Sequence, residues 1–297
     1  MQEFFFNLTK VEAIMKKTKF YPFSLAAVLI CSMGLSSADL RAQAISLRGK
    51  PGNWVSGEFF RPSYESQGSV KLSSWILLLG VKANISERVA LLAELPYANG
   101  KLDFSSNFFS NDRSQSAIMN PYIGLEFLSR RQKTSFEVGV RLPVADEDKA
   151  LAAQAGILSD LDRFDAFIPN ILAINGLLHV NSVSSGGFAF RLHGGPNFWV
   201  LTDTNNGVED GVELLLKYAG ELGYDTEQLS LSAGISGLLI ATESDLDLSE
   251  RTLHQFIAAV TVGLGNVRPG IQFRLPLDKN TGIDYVLGAN VAIRLSK

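Results

Sequence analysis

The stretch Tyr285-Val286-Leu287-Gly288-Ala289-Asn290-Val291-Ala292-Ile293-Arg294-Leu295 decides the fold of this chain. Every second residue from Tyr285 to Leu295 is apolar, whereas the residues between them include Asn290 and Arg294. Because successive side chains of a β-strand point to opposite faces, the stretch predicts one face on an apolar medium and one on a polar interior. Segments of about ten residues with this alternation, separated by turn residues, are typical of a transmembrane β-barrel.

We therefore predict an all-β fold, an antiparallel transmembrane β-barrel of about twelve strands. The predicted strands are 54–62, 71–85, 88–97, 117–128, 134–143, 171–182, 187–200, 211–222, 228–241, 253–264, 266–276 and 283–295. Short and long connections alternate between them, which indicates short periplasmic turns and longer extracellular loops. The predicted long loops are 63–70, 98–116, 144–170, 201–210, 242–252 and 277–282.

Residues 1–44 have the order of a secretory signal peptide: lysines, an apolar run from Phe20 to Leu35, and the small-residue site Ala42-Gln43-Ala44. Met15 is the expected start, because Glu3 and Glu12 are unusual ahead of leader lysines. No apolar stretch after Ala44 reaches the roughly 20 residues that a spanning helix needs. Residues 45–297 are thus predicted to form one barrel in the outer membrane of a Gram-negative cell.

The composition of the chain excludes some classes of binding partner. Without residues 1–44, 22 basic and 27 acidic residues remain, and a mildly acidic protein is a poor candidate for nucleic-acid binding. The single cysteine, Cys31, lies in the leader, so neither disulfides nor thiol chemistry is expected. The expected partners are outer-membrane lipid, lipopolysaccharide and a small solute. We expect a monomer without a cofactor.

Alternation also assigns side chains to faces. In 134–143, for example, Phe136 and Val138 are predicted to face lipid, whereas Glu137 faces inward. The residues predicted to line the lumen are Lys82, Glu94, Glu126, Glu137, Arg141, Arg191, His193, Glu213, Lys217, Arg274 and Arg294, together with Glu58, Glu221 and Arg268. Two interpretations stay open: a polar pathway whose field selects solutes, or a paired network that fills a narrow bore.

Loop 144–170 is a second candidate for function, because Ala150–Leu158 consists of good helix formers. Such a helix can fold into the barrel mouth as a constriction or lid, or pack on the rim without a gating role. A further hypothesis concerns aromatic residues near strand ends, which form girdles at membrane interfaces or are ordinary strand aromatics. They are Tyr64, Trp75, Tyr97, Tyr122, Trp199 and Tyr285.

Enzymatic and metal sites are not predicted. A barrel hydrolase needs a serine, a histidine and an orienting group close together. His179, Asn181, Ser182 and Ser184 are neighbours in sequence but fall at a predicted periplasmic turn, and His193 has no evident serine partner. Two acidic clusters are interpreted as ordinary outer-loop residues, which divalent cations can bridge to lipopolysaccharide. These clusters are Asp160, Asp162 and Asp165, and Asp245, Asp247 and Glu250.

The segments Asn120-Pro121-Tyr122-Ile123-Gly124-Leu125-Glu126 and Gly139-Val140-Arg141-Leu142-Pro143 carry a family resemblance. They are similar to segments of outer-membrane channels linked to phenol degradation (the MetA pathway), which relate loosely to long-chain fatty-acid transporters. This resemblance implies passive uptake of small solutes, hydrophobic ones included. About ten residues, Ile45–Asn53, precede the first predicted strand, so the full N-terminal plug of the fatty-acid transporters is not expected.

Two other functions stay open. One is a closed barrel with a structural or adhesive role, which displays loops 98–116 and 144–170. The other, less favoured, is a barrel hydrolase.

Overall fold

The computed structural model describes residues 52–65, 70–105, 110–130, 133–202, 211–242, 247–278 and 281–295; the predicted signal peptide, residues 1–44, lies outside them. The described residues form one antiparallel sheet of thirteen strand segments. The segments are β1 (Asn53–Tyr64), β2 (Val70–Asn84), β3 (Val89–Ser105), β4 (Ser110–Ile118), β5 (Tyr122–Leu128), β6 (Thr134–Arg141), β7 (Ile171–Val183), β8 (Phe188–Leu201), β9 (Val212–Asp225), β10 (Leu229–Ile240), β11 (Thr252–Val262), β12 (Val267–Pro276) and β13 (Ile283–Leu295).

The sheet closes on itself. The first strand pairs with the last, from Asn53 opposite Leu295 to Tyr64 opposite Ile283. One half of β3 pairs with β5 and the other half with β4, so β4 and β5 share one position in the wall. The described segments therefore form a closed barrel of twelve strand positions, and the predicted fold is confirmed.

Two predicted boundaries are wrong. Residues 98–116 were expected to form a loop, but β3 continues to Ser105 and β4 begins at Ser110. The two strands form a hairpin that pairs from Tyr97 opposite Ile118 to Ser105 opposite Ser110. This part of the hairpin is polar in sequence, so the apolar alternation that locates strands on lipid is missing there.

The predicted continuous strand 117–128 is also interrupted, at residues 119–121. Pro121 has no backbone N–H to donate to a strand ladder. Asn120 beside it is fully buried and turns its side chain into the barrel. At this break the Asn120 side chain points into the barrel, and the regular alternation of inward and outward side chains is interrupted.

The outer surface of the barrel is apolar. Phe136 and Val138 of β6 are 47% and 43% exposed, whereas Glu137 between them is fully buried. The same alternation holds for Phe190, Arg191 and Leu192 of β8. The predicted faces are confirmed on these strands. An apolar outer belt on a closed barrel is the surface that a bilayer requires, and the chain is a β-barrel of the outer-membrane type.

The predicted aromatic girdle is only partly correct. Trp75 stacks between Phe59 and Tyr97 on the outer surface, and Tyr285 stacks on Phe273. Three other members of the predicted girdle do not face lipid. Tyr122 and Trp199 are buried inside the barrel, and the Tyr64 hydroxyl group bonds that of Ser74. Proximity to a strand end does not decide orientation, because the alternation of side chains does.

The connection between β6 and β7, residues 142–170, folds into the barrel and is called the inward loop below. It contains a 3-10 turn (Glu147–Lys149), helix α1 (Ala150–Ser159) and a second 3-10 segment (Leu161–Ala166). The Asp146 side chain accepts a hydrogen bond from the backbone N–H of Asp148 and begins the first turn. Asp160 does the same for Asp162 at the second 3-10 segment.

Helix α1 packs against the inner faces of β2, β3 and β4. The contact at Gly100 is close, since a Cβ atom there would lie 2.5 Å from the carbonyl oxygen of Leu151. Apolar side chains fill this side of the interior: Phe60, Ile76, Leu78, Ala98, Met119, Ala145, Ala152, Ala153, Ala166, Phe167, Ile283 and Val286. Among the residues described, no helix has both the length and the apolar composition to cross a membrane.

Candidate functional site

The two ends of the inward loop are held by one wall residue, Asn120. Its Oδ1 atom accepts hydrogen bonds from the backbone N–H groups of Val144 and Ala145, at 2.9 and 2.8 Å. Its Nδ2 atom donates to the carbonyl oxygens of Asp165 and Ile168, at 3.2 and 2.7 Å. A buried amide that satisfies four backbone contacts fixes the loop in place, because each lost partner would leave a buried polar group unpaired.

The Arg163 side chain of the inward loop is enclosed by carboxylates. Its Nη1 and Nη2 atoms donate to the two oxygens of Glu58 on β1, at 3.1 and 3.0 Å. Nη1 also donates to Glu94 on β3 at 3.0 Å, and Nε donates to Asp160 at 2.8 Å. The planar guanidinium group suits such paired contacts better than an ammonium group does.

Asp160 and Asp165 bind the inward loop to other strands. Asp160 accepts from Arg274 of β12 at 2.5 Å. Asp165 accepts from Lys217 of β9 at 3.0 Å and lies 3.5 Å from Nε of Arg141. With the carboxylates around Arg163, these contacts connect the loop to β1, β3, β6, β9 and β12.

These contacts decide the charge of the two loop carboxylates. Burial alone would raise the pKa of Asp160, but Arg163 and Arg274 outweigh it and hold that pKa well below its usual range. Burial likewise opposes ionisation of Asp165, but Lys217 and Arg141 lower its pKa. Both carboxylates are therefore charged at neutral pH.

A cavity lies beside the inward loop, along the inner faces of β6–β10. Its volume is about 100 Å³, and it is partly open to solvent. Arg163 and Asp165 of the loop contribute to its lining, and the wall contributes mostly polar side chains, among them Glu137, His179, Arg191, His193, Lys217 and Glu221. The interior thus has an apolar side covered by α1 and a charged side that borders open space.

The wall carries two further polar groups. Lys82 and Glu126 form an ion pair in which both side chains are fully buried, and Ser135 donates to the second oxygen of Glu126 at 2.6 Å. Glu137 accepts from the hydroxyl group of Tyr122 at 2.5 Å, and its other oxygen lies 3.2 Å from Nε2 of His179. Both groups connect strands of the wall without the inward loop.

The residues predicted to line the lumen fall into several groups. Glu94, Arg141, Lys217 and Arg274 contact the inward loop, and Glu58 joins them. Arg191 pairs with Asp225 and lies 3.9 Å from Glu221. The Glu213 carboxylate accepts from Thr242, and Arg268 donates to the carbonyl oxygen of Glu227. Arg294 is exposed at the end of β13, outside the buried interior.

Several residues of the site were missed by sequence reasoning. The sequence pattern does not single out Arg163, and it predicts that Asp160 and Asp165 belong to an outer loop. Asn120 appeared only within a family motif. The one indication of these residues in the sequence is a run of opposite charges in a loop with a predicted helix. Such a run does not specify which strands the charged side chains contact.

Histidine contacts differ from the prediction. His179 lies within β7 rather than at the turn. Its side chain is largely buried, and its ring centroid lies 5.7 Å from that of His193. On the outer surface His254 contacts the hydroxyl group of Tyr218 at 2.7 Å and lies 3.4 Å from Asp278. Among the described residues, no group of three or more His, Cys, Asp or Glu is placed to hold a metal ion; Asp245 lies outside them.

Neither a protein-family model nor a curated protein matches this chain. Solved structures with a similar fold include an outer membrane channel from Pseudomonas putida F1, with 12% identity and a TM-score of 0.55 over 88% of this chain and 100% of that one. Others are the monoaromatic hydrocarbon channel CymD (9%, 0.41, 83% and 89%) and the β domain of the Bordetella autotransporter BrkA (9%, 0.47, 82% and 99%). At 12% identity, the likeness to the Pseudomonas channel establishes the fold alone.

Proposed function

We propose that this protein is a passive outer-membrane channel for small solutes, with the inward loop as its constriction. The observation that carries the proposal is the cavity beside that loop, which is partly open to solvent and has a volume of about 100 Å³. A barrel whose interior is merely packed has no need of such a space, because close-packed protein interiors contain few voids larger than a water molecule. The proposal includes a monomer, since the closed wall needs no second copy to complete it, and export by the predicted leader.

The lining of the cavity supports polar solutes over apolar ones. Most of the residues that line the cavity carry charged or hydrogen-bonding groups, for example Arg191 and Glu221. Rings of charged side chains select solutes by electrostatic barriers. A hydrophobic solute, as the family resemblance implies, would find apolar lining only in part of the cavity, at residues such as Leu177 and Leu238, because α1 covers the apolar wall near Ile76.

Single-channel recording tests the proposal. The protein purified from outer membranes in detergent is inserted into a planar bilayer, and current steps are counted in KCl. Discrete steps are expected, and their size should increase when Arg163 is replaced by alanine, because two wall contacts of the constriction are lost. A matched control is Arg113→Ala, an exposed arginine on β4, which should leave the step size unchanged.

A second candidate is a closed structural or adhesive barrel, because side chains and the inward loop fill much of the barrel interior. Helix α1 and the apolar residues around Phe167 occupy one side of the interior, and ion pairs cross the rest. A folded barrel that shows no current steps, either as the native sequence or with Arg163→Ala, would support this second function and reject the channel.

A further inference from the structure

Arg163 occupies a site that the barrel wall itself builds. The carboxylate of Glu58 presents both oxygens to the guanidinium group, in a two-fold contact at 3.0 and 3.1 Å. Glu94 adds a third wall oxygen at 3.0 Å. Arg163 shares the ring of Phe60 with Arg274: the ring centroid lies 5.9 Å from Cζ of Arg163 and 4.2 Å from Cζ of Arg274. Two carboxylates and an aromatic face are the groups that recognise a guanidinium ion.

The two wall carboxylates are positioned by groups other than the loop residue. Glu58 and Glu94 belong to β1 and β3, whose positions are set by strand pairing. Arg141 donates to the other oxygen of Glu94 at 2.6 Å, and Gln272 lies 3.5 Å from Glu58. These neighbours orient the two carboxylates. The two-fold contact to Glu58 is made by Arg163. Removal of Arg163 would leave nearly buried carboxylates with too little positive charge, which is costly.

The Arg163 side chain in the site is also within reach of a solute. Arg163 lines the cavity, and its side chain is 11% exposed. A small cation in the cavity would therefore meet the guanidinium group at its edge. Asp160 belongs to the loop, so it would leave the site with the loop.

We infer that Glu58, Glu94 and Phe60 form a binding site for guanidinium-bearing solutes, which Arg163 occupies as a tethered substitute. A solute of this class competes with Arg163 for the two carboxylates and releases the inward loop. The inference that such solutes enter the channel rests on the proposed function. The binding site itself can be measured without conduction.

Calorimetric titration tests the site. Butylguanidinium and butylammonium carry the same charge and the same chain, so they differ only in the shape of the cationic group. Folded Arg163→Ala protein in detergent should bind butylguanidinium at least roughly tenfold more tightly than butylammonium, because only the former donates two parallel hydrogen bonds to Glu58. The native protein should bind butylguanidinium more weakly than the variant does, since Arg163 competes.

Two controls locate the effect. In Arg163→Ala with Glu58→Gln, the preference for butylguanidinium should disappear. Lys217→Ala instead vacates an ammonium group beside Asp165 and leaves Arg163 in place, so its preference for butylguanidinium should stay well below that of Arg163→Ala. Equal affinities for the two cations in Arg163→Ala, or a preference that persists with Glu58→Gln, would overturn the inference.

A second variant covers a failure of Arg163→Ala to fold. Arg163→Lys keeps the charge but loses the two-fold contact, and butylguanidinium should displace this lysine at a lower concentration than butylammonium does. Displacement is read from the emission of Trp199 in a Trp54→Phe, Trp75→Phe background, because Trp199 packs on Phe164 of the loop at 4.8 Å between ring centroids. Equal effects of the two cations would reject the site. Binding without current steps rejects only the channel, and current steps without guanidinium preference reject only the site.

Discussion

The side-chain amide of Asn120 donates a hydrogen bond to the carbonyl oxygen of Ile168 at 2.7 Å. Its other atom, Oδ1, accepts from Val144 and Ala145 at the opposite end of the inward loop. One side chain at a break in the barrel wall therefore joins both ends of a segment of more than twenty residues. Both ends of the inward loop therefore meet the wall at the same place, and the charged residues between them contact other strands of the barrel.

Asn120→Ala should loosen the inward loop by about 1–3 kcal/mol, because buried backbone groups lose their partners. The readout is Trp199 emission in a Trp54→Phe, Trp75→Phe background, where Trp199 is the single tryptophan. A shift to longer wavelength is expected as Phe164 moves away from Trp199 and water enters. Asn266→Ala, at an exposed turn, is the control and should leave the emission unchanged. An unshifted spectrum for Asn120→Ala would show that Asn120 does not hold the inward loop in place.

The inward loop should remain docked from neutral pH down to mildly acidic pH and loosen only in strong acid. The folded pKa values of Asp160 and Asp165 lie below their usual value of 3.8. A lowered pKa contributes stability above the unfolded value and loses it as the pH falls through the folded value. Trp199 emission should therefore change only below about pH 4. A transition near pH 6 would contradict this assignment; Asp284→Asn, an exposed control, should not move the curve.

Gly139→Ala should destabilise the barrel by about 1–3 kcal/mol through overpacking. The ring of Tyr122 lies over Gly139, and a Cβ atom there would be 2.2 Å from the tyrosine oxygen. The ring must shift, which also strains its hydrogen bond to Glu137. Urea unfolding measures the change. Gly176→Ala is the matched control, because its nearest neighbour would be Pro196 at 3.8 Å, and equal losses for the two variants would contradict the prediction.

Lys82 and Glu126 should show strong coupling in a double-mutant cycle. Loss of one partner leaves a buried charge alone and should cost about 3–5 kcal/mol, whereas Lys82→Met with Glu126→Gln should recover much of that loss. Unfolding free energies of the four proteins measure the coupling. The same cycle on Lys101 and Asp103, which are far more exposed, should give at most about 1 kcal/mol. Additive losses at Lys82 and Glu126 would show that the pair is not coupled.

The barrel was predictable from the sequence because side-chain alternation is a local property. Phe136 and Glu137 are neighbours, and their opposite faces follow from strand geometry alone. The hairpin of β3 and β4 was not predictable in the same way. Its end beyond Tyr97 has no continuous apolar alternation, so nothing in the local pattern separated it from a loop.

The site was harder to predict than the wall. Inward charges such as Glu94 and Arg141 could be listed by parity, and helix α1 could be expected from its composition. Their partners could not, since Asp160 meets Arg274 across 114 residues of chain. Asn120 gave no signal of its own, because its role depends on where the ends of the inward loop come together.

The sequence by itself determined the closed antiparallel barrel, its apolar exterior and the polar character of its interior, since each follows from the period of a strand and the cost of a charge in lipid. Only the tertiary structure decided that the loop enters the barrel and that Arg163 lies between Glu58 and Glu94. Contacts of that kind depend on closure of the whole sheet, which brings residues distant in sequence within hydrogen-bonding distance.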